Sequence, residues 1–365
     1  MRADRIARLG SMLRETGSAA IVSPSSDLYY LLGLRLMADE RLTVGLFWPD
    51  ATAEMVVPAL YAAEVEARLP SIENAVWDDG DDPYSLVAAG VKAWGITTVL
   101  VDDRMRAEHL LRLQSAMPDV RWGAASSLLR VLRRVKDPEE MLMLRKSARL
   151  ADAVLQAVLP RIRSGMTESD VAWLLQREVR GRGGEGFAFP PLVASGPNSA
   201  LPHYQAGSRE IQDGDVLLID FGCVVDGYCS DMTRMVVLGP PPRRLMEVYA
   251  TVRRAYEEAM KAVRPGAVCQ DIDGAARRVI IESGYEDYFV HRTGHGIGLD
   301  YHEEPYIVEG NTGALVPGMA FSVEPGIYLP GQFGVRLEDI VLVGERGADN
   351  LGGFPRELVE IGVRV

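Results

Sequence analysis

Two stretches of this chain read as β-hairpins whose arms each carry a carboxylate, and that arrangement narrows the available folds more than any other feature. The apolar run Val216–Asp220 ends on an acid, Met232–Leu238 reads as a second strand, and Asp226-Gly227 between them is a tight-turn signal. A two-residue turn there pairs residue 222 with 231 and residue 220 with 233, so Asp220 and Asp231 become diagonal neighbours on one face. A bulge in the turn would flip one of them to the other face. A lone Asp at a strand end more often caps a turn, but two on one face weigh against that. In the second hairpin a turn centred on Gly331 sets Glu324 opposite Glu338. Like charges directly opposed are destabilising unless something positive lies between them. Pairing Glu338 with Arg336, its same-face neighbour, would still leave Glu324 without a partner, whereas a dinuclear cation site satisfies both.

Histidine is scarce, and four of the five fall between His203 and His302. His295 sits in Gly294-His-Gly-Ile-Gly298, where flanking glycines allow close backbone approach. One imidazole with four carboxylates is a ligand set for two divalent ions, and the other histidines are then available for proton transfer and oxyanion stabilisation. The bulk properties exclude other classes. The net charge of −12 argues against nucleic acid and anionic membrane as partners. Cys223, Cys229 and Cys269 are too few and too irregularly spaced for a zinc knuckle or a disulfide framework, and fit reduced thiols in a cytoplasmic protein. The N-terminal segment lacks the apolar core of a secretory signal, and Ile6, Leu9, Met12 and Leu13 recur instead at helical spacing. No apolar run approaches membrane-spanning length.

A length of 365 residues suits two domains. Strands expected at Ala19–Val22, Leu42–Trp48, Ala53–Val57 and Thr97–Val101 alternate with helices and predict an α/β domain over residues 1–128. Trp77-Asp-Asp-Gly-Asp-Asp-Pro83 reads as a solvated acidic loop. The interdomain connection falls between about 126 and 136, with 129–136 as the linker. The second domain, 137–365, opens on Asp137-Pro-Glu-Glu140, a strong helix start, and Gly165 is expected to end that helix. Further helices at about 243–263 and 270–283 among hairpins suggest α+β with a mostly antiparallel sheet.

Ile219-Asp-Phe-Gly222, Ser230-Asp-Met-Thr-Arg234, His291-Arg-Thr-Gly-His-Gly-Ile-Gly-Leu-Asp-Tyr-His302-Glu-Glu-Pro305, Ser322-Val-Glu-Pro-Gly-Ile-Tyr328 and Val335-Arg-Leu-Glu-Asp339 follow one another in order. Together they resemble the pita-bread metallopeptidases, in the branch of prolidase and aminopeptidase P. The resemblance covers about 137–365 and extends more weakly to the preceding domain. It implies an α+β fold: a C-terminal pita-bread (creatinase/aminopeptidase) domain preceded by a smaller α/β creatinase-type N-terminal domain. It also implies that Asp220 chelates one metal, that His295 and Glu324 hold the other, and that Asp231 and Glu338 bridge both. A hydroxide between the cations would be the nucleophile, with Glu324 as general base and His302 steadying the carbonyl or oxyanion. His203 and His291 would line a pocket for the proline ring, and Tyr328 and Arg336 would position substrate or support the metal shell. The oxygen-rich set suits Mn(II), with Co(II) or Zn(II) as substitutes. The expected partners are small peptides with proline at the second position and a second copy of the chain, with a loop at 30–42 available to join the dimer.

Within that branch the resemblance favours a prolidase, with an aminopeptidase P acting on longer peptides as the alternative. A non-catalytic pita-bread binding protein and a metal-free creatinase are both disfavoured by the complete ligand set. Methionine aminopeptidase shares the ligands but usually lacks this N-terminal domain. A dipeptidase needs a fixed cation for the carboxylate just beyond proline. Arg35 and Arg41 lie in the loop Leu34–Arg41, and Arg41 is expected to close the site to longer peptides. The alternative, a solvated arginine paired with Asp39 or Glu40, stays open.

Overall fold

In the computed structural model, which describes residues 3–362, the helical spacing at the N-terminus becomes the helix Ala3–Thr16, with Ile6, Leu9 and Leu13 buried. The chain divides into two units, one ending at Arg133 and the other beginning at Arg134. In the first, six strands form a mixed sheet in the spatial order Glu73–Trp77, Ala53–Pro58, Val44–Phe47, Ala19–Val22, Thr98–Val101, Arg121–Ala124. Ala19–Val22 is central and buried throughout, running antiparallel to Val44–Phe47 and parallel to Thr98–Val101. Its near-continuous apolar character is what a strand covered on both faces requires. Ile21, Leu46, Trp48, Val87, Val99 and Leu113 share one core cluster in this unit.

The segment expected as a connection is largely helical. Ser126–Arg133 is an α-helix that buries Leu129 and Leu132, and Arg133 closes onto Asp27 at 2.6 Å. The chain then enters the second unit, where Lys136 N donates to Gly318 O at 2.8 Å and Val135 bridges Met319. The helix start at Asp137 is as expected: Asp137 and Glu140 form a reciprocal capping box ahead of Pro138–Val158. The end differs. The α-helix stops at Val158 rather than near Gly165, because Pro160 has no N–H to continue the ladder, and a 3-10 turn takes over at Leu159–Arg161. Gly165, at φ 85°, lies in the following turn.

The second unit layers helices on antiparallel sheet. One sheet runs Val359–Ile361, Met232–Leu238, Val216–Phe221, Leu192–Ser195, and its single parallel pair is the first two strands. Another runs Glu303–Ile307, Gly294–Gly296, Ala320–Val323, Asp339–Val343, Ala348–Asn350, and Gly326–Leu329 pairs separately with Phe333–Arg336. Val216 and Leu218 join a core with the helices Arg243–Ala262 and Cys269–Glu282, whereas Leu217 and Ile219 join one with Pro138–Val158 and Glu168–Gly181. Successive residues of the strand therefore bury opposite faces. Among the described residues no helix is long and apolar enough to cross a membrane.

Both hairpins keep the expected register. Asp220 pairs with Thr233 and Val225 with Tyr228, so no bulge intervenes between the two acids. Asp226 and Gly227 have φ of 48° and 83°, the positive values a two-residue turn of this kind demands. In the second hairpin Val323 pairs with Asp339 and Gly326 with Arg336, the same register on either side of Glu324 and Glu338. Gly222 has a steric reason to be glycine, since a Cβ there would lie 1.7 Å from the backbone oxygen of Ser230. Gly222→Ala should therefore lower stability by about 2 kcal/mol or more, measured by denaturant unfolding of the metal-free protein. An unchanged midpoint would contradict the close approach of the two arms.

Candidate metal centre

The hairpins deliver their acids to one cavity of about 610 Å³. Asp220 is the penultimate residue of its strand, Asp231 immediately precedes the next, and His295 is the middle residue of Gly294–Gly296. Glu324 follows Ala320–Val323, and Glu338 precedes Asp339–Val343. All five line the cavity. His295 Nε2 lies 3.2 Å from Glu324 Oε1 and 3.7 Å from Asp231 Oδ2. One ligand atom each from Asp231, His295 and Glu338 lie within 4.8 Å of one another. His295 Nδ1 faces Gly296 O at 3.1 Å, which puts the ring proton on Nδ1 and leaves Nε2 a lone pair for a cation.

The electrostatics test whether a cation fits. Asp220 Oδ1, Asp231 Oδ1 and Glu338 Oε1 are buried with no hydrogen-bond partner. Burial, and then the neighbouring carboxylates, hold Asp231 and Glu338 well above the usual range for acids. Burial lifts Glu324 to about 7, against the pull of Arg336. His295 is held well below the ordinary imidazole value by burial and then by His302. Buried acids and a neutral imidazole converging with unsatisfied oxygens are what divalent cations require of a protein.

Around these five is a layer that fixes their orientation. Arg336 sends Nη2 to Asp220 Oδ2 at 2.5 Å, Nη1 to Tyr328 OH at 2.7 Å and Nε to Thr233 Oγ1 at 3.0 Å. Its carboxylate partner is thus Asp220 and not Glu338, because the sheets bring the end of another strand closer than the same-face neighbour. Thr233 Oγ1 donates to Glu338 Oε2 at 2.7 Å, and Ser322 Oγ donates to Glu324 Oε1 at 3.0 Å while accepting from His295 N. Buried Arg234 reaches Glu338 O and Asp339 Oδ1 at 2.6 and 2.7 Å. Sequence reasoning passed over Thr233, Arg234 and Ser322 as positioning residues. The signal for Thr233 was its place directly opposite Asp220.

The remaining predicted histidines also line the cavity, but differently from one another. His302 packs its ring across His295 at 4.1 Å, and burial pushes it down to about 4. His203 is exposed on the segment that follows Ser195. That segment is tied down by buried Glu168, which accepts from Ser195, Asn198, Tyr204 and Gly207 and which sequence reasoning also missed. His291 has both ring nitrogens engaged: Nδ1 faces Arg292 O, and Nε2 faces Tyr328 OH, each at 2.8 Å. It is a fixed ring face and not a free proton carrier, and burial holds it down to about 3. Arg35 stacks over Tyr29 at 4.5 Å. Arg41 lies in the N-terminal unit, where its guanidinium forks onto Asp79 at 2.9 and 3.1 Å and meets Glu40 at 2.9 Å. The acidic loop supplies the partner, so the fork that carboxylate recognition needs is already filled.

This metal-compatible centre on a two-unit fold has relatives. Residues 143–345 match the profile of metallopeptidase family M24, and residues 5–135 match the creatinase/prolidase N-terminal domain. The chain belongs to metallopeptidase family M24, a family of divalent-metal hydrolases, and carries the pita-bread domain behind a creatinase-type domain. It is 42% identical over 367 residues to the probable dipeptidase PepE of Mycobacterium tuberculosis, covering 99% of this chain and 97% of that one. The crystal structure of a dipeptidase from Pyrococcus horikoshii superposes with a TM-score of 0.93 at 39% identity, covering 98% of this chain and 100% of the other. A prolidase from Thermococcus sibiricus gives 0.95 at 36%, covering 99% and 100%.

The shifts set a pH dependence for the metal-free protein. Glu324, Asp231 and Glu338 keep their protons to higher pH folded than unfolded, so the folded chain binds more protons and stability falls as pH rises. His291, His295 and His302 are held below the ordinary 6.5, which makes stability rise with pH up to that value. The two effects oppose each other below 6.5, and only that of the carboxylates remains above it. Chelator-treated protein should melt at progressively lower temperature between about pH 6.5 and about pH 8, and an added divalent cation should abolish the trend and release protons on binding. A melting temperature indifferent to both pH and metal would count against the centre.

Proposed function

We propose that this protein is a dinuclear-metal peptidase that hydrolyses the Xaa-Pro bond, with Xaa-Pro dipeptides as its preferred substrates. The observation that carries the metal assignment is the set of unpartnered buried carboxylate oxygens around His295. We assign Asp220 to one cation, His295 and Glu324 to the other, and Asp231 and Glu338 to both. Mn(II) suits an oxygen-rich set with one imidazole. When bound, the cations would polarise the scissile carbonyl and acidify a water molecule toward neutrality.

The chain's own residues then have defined tasks. Glu324, which lines the cavity beside His295, would take the proton of the attacking water and pass it toward the leaving nitrogen. His302 is neutral at pH 7 and can donate a hydrogen bond to the carbonyl oxygen as charge develops there. The locked ring of His291, together with His203, would form a wall for proline. Tyr328 and Arg336 would hold Asp220 in place. Similarity over the full length to a prolidase and to dipeptidases supports the dipeptide preference, and the alternative is an aminopeptidase on longer peptides. Three buried free thiols fit a cytoplasmic setting, and a homodimer belongs to the same reading.

Manganese-loaded protein should cleave an Xaa-Pro dipeptide faster than the matched Xaa-Pro-Yaa tripeptide and lose activity to a chelator. A preference for the tripeptide would make it an aminopeptidase, and silence on both would favour a binding protein. His302→Ala should lower kcat about a hundredfold at unchanged metal content. Asp231→Ala and Glu338→Ala should lose metal outright, as read by elemental analysis.

A further inference from the structure

We infer that Arg292 anchors the free carboxylate of the substrate, and that this residue gives the site its preference for a dipeptide. The inference rests on reading the cavity as a peptidase site. A carboxylate one residue beyond the scissile bond loses much of its hydration on entering the cavity and needs a fixed cation in compensation. Of the described residues lining the cavity, only Arg292 and Arg336 carry a permanent positive charge. Arg336 is buried, and its donors are committed to Asp220, Tyr328 and Thr233. The ring of His291 cannot substitute, because both its nitrogens are already engaged, by Arg292 O and Tyr328 OH.

Arg292 is differently placed. It is half-buried, and its guanidinium lies 4.3 Å over the ring of Tyr306. Among the described residues no side-chain hydrogen bond or ion pair engages that guanidinium. A guanidinium lying over an aromatic face keeps its N–H groups in its own plane, free for a two-pronged acceptor. The stack is anchored to the metal centre, because Tyr306 pairs directly with His295 across the sheet and its carbonyl accepts from Asn311 Nδ2 at 2.6 Å. Arg292 lines the same cavity as His295, His302 and Glu324. The cation is therefore held in the cavity that the metal ligands line, beside the strand that carries His295, where a substrate carboxylate can meet it. In a tripeptide that position holds a neutral peptide group, which forfeits the charge-assisted pair.

The test compares an Xaa-Pro dipeptide with its C-terminal amide, using manganese-loaded wild type, Arg292→Ala and Arg292→Lys. Arg292→Ala should lower kcat/KM for the dipeptide about fiftyfold, mostly through KM, and leave the amide within about twofold. Arg292→Lys keeps the charge without the fork and should fall between. Calorimetric titration with proline and with prolinamide gives a readout independent of turnover, and only proline should bind more weakly to Arg292→Ala. Equal losses on dipeptide and amide, or no loss on either, would overturn the assignment. A wild type inert to both substrates would count against the peptidase reading, and the proline titration would still decide the role of Arg292.

Discussion

Asp231 and Glu338 cannot both be ionised beside Glu324 in a buried, metal-free interior, and the architecture of the second unit is organised around that constraint. Taking one carboxylate out of water costs several kcal/mol, and bringing a second close to it adds repulsion. The fold meets this cost at the ends and edges of strands, where the backbone leaves the ladder and side chains converge. It also braces the flanks. Arg234 is wholly buried and holds the carbonyl of Glu338 and the carboxylate of Asp339, which also accepts from Tyr256 and Arg356. A network satisfied on every side fixes the backbone on which an unsatisfied one is mounted. The instability is local, which is the condition for a cation to remove it on binding.

Burial acts in opposite directions on the two kinds of titratable group here. It raises the acids, so that they wait for positive charge, and it lowers the imidazoles, so that they remain neutral at pH 7. A neutral His295 can give a lone pair to a metal, and a neutral His302 can give a hydrogen bond to an oxyanion. Neither could do so as readily if a surface position left it partly protonated. The same low-dielectric cavity therefore prepares ligands and hydrogen-bond donors together.

Much of this was legible in the sequence because two turns control it. Asp226-Gly227 fixes a two-residue loop, and with it the diagonal relation of Asp220 to Asp231. The turn at Gly331 sets Glu324 against Glu338 in the same way. Side-chain period and turn length are local properties, so the register followed from them. What failed was non-local or hidden by composition. The support of the metal shell by Arg336 was expected, but its carboxylate partner was not legible, because packing gives it Asp220, 116 residues away. Arg41 does meet Glu40, one of the partners left open for it, but Asp79 also arrives, from a loop read as solvated acid. Ser126–Arg133 is only eight residues long and buries just two of its four apolar side chains, Leu129 and Leu132, which made a helix resemble a linker. Pro160 was the stop signal for the long helix, and the glycine five residues later drew attention from it.

The two arginines of the cavity show how burial assigns different work to one side-chain type. Arg336 is enclosed and hydrogen-bonded to Asp220, Tyr328 and Thr233, so it acts as part of the scaffold and holds the Asp220 carboxylate in place. Arg292 lies on a tyrosine ring with its edge uncommitted, so it can act on a ligand. In the proposed site four carboxylates would offset two divalent cations, and the charge of Arg336 would offset a hydroxide held between them. A centre so balanced keeps its positive groups close to the oxygen on which negative charge builds. Arg292 would stay outside this balance, because the carboxylate it meets is brought by the substrate. Catalytic charge and recognition charge are thereby separated, and a substrate without the carboxylate would lose affinity without disturbing the electrostatics of bond cleavage.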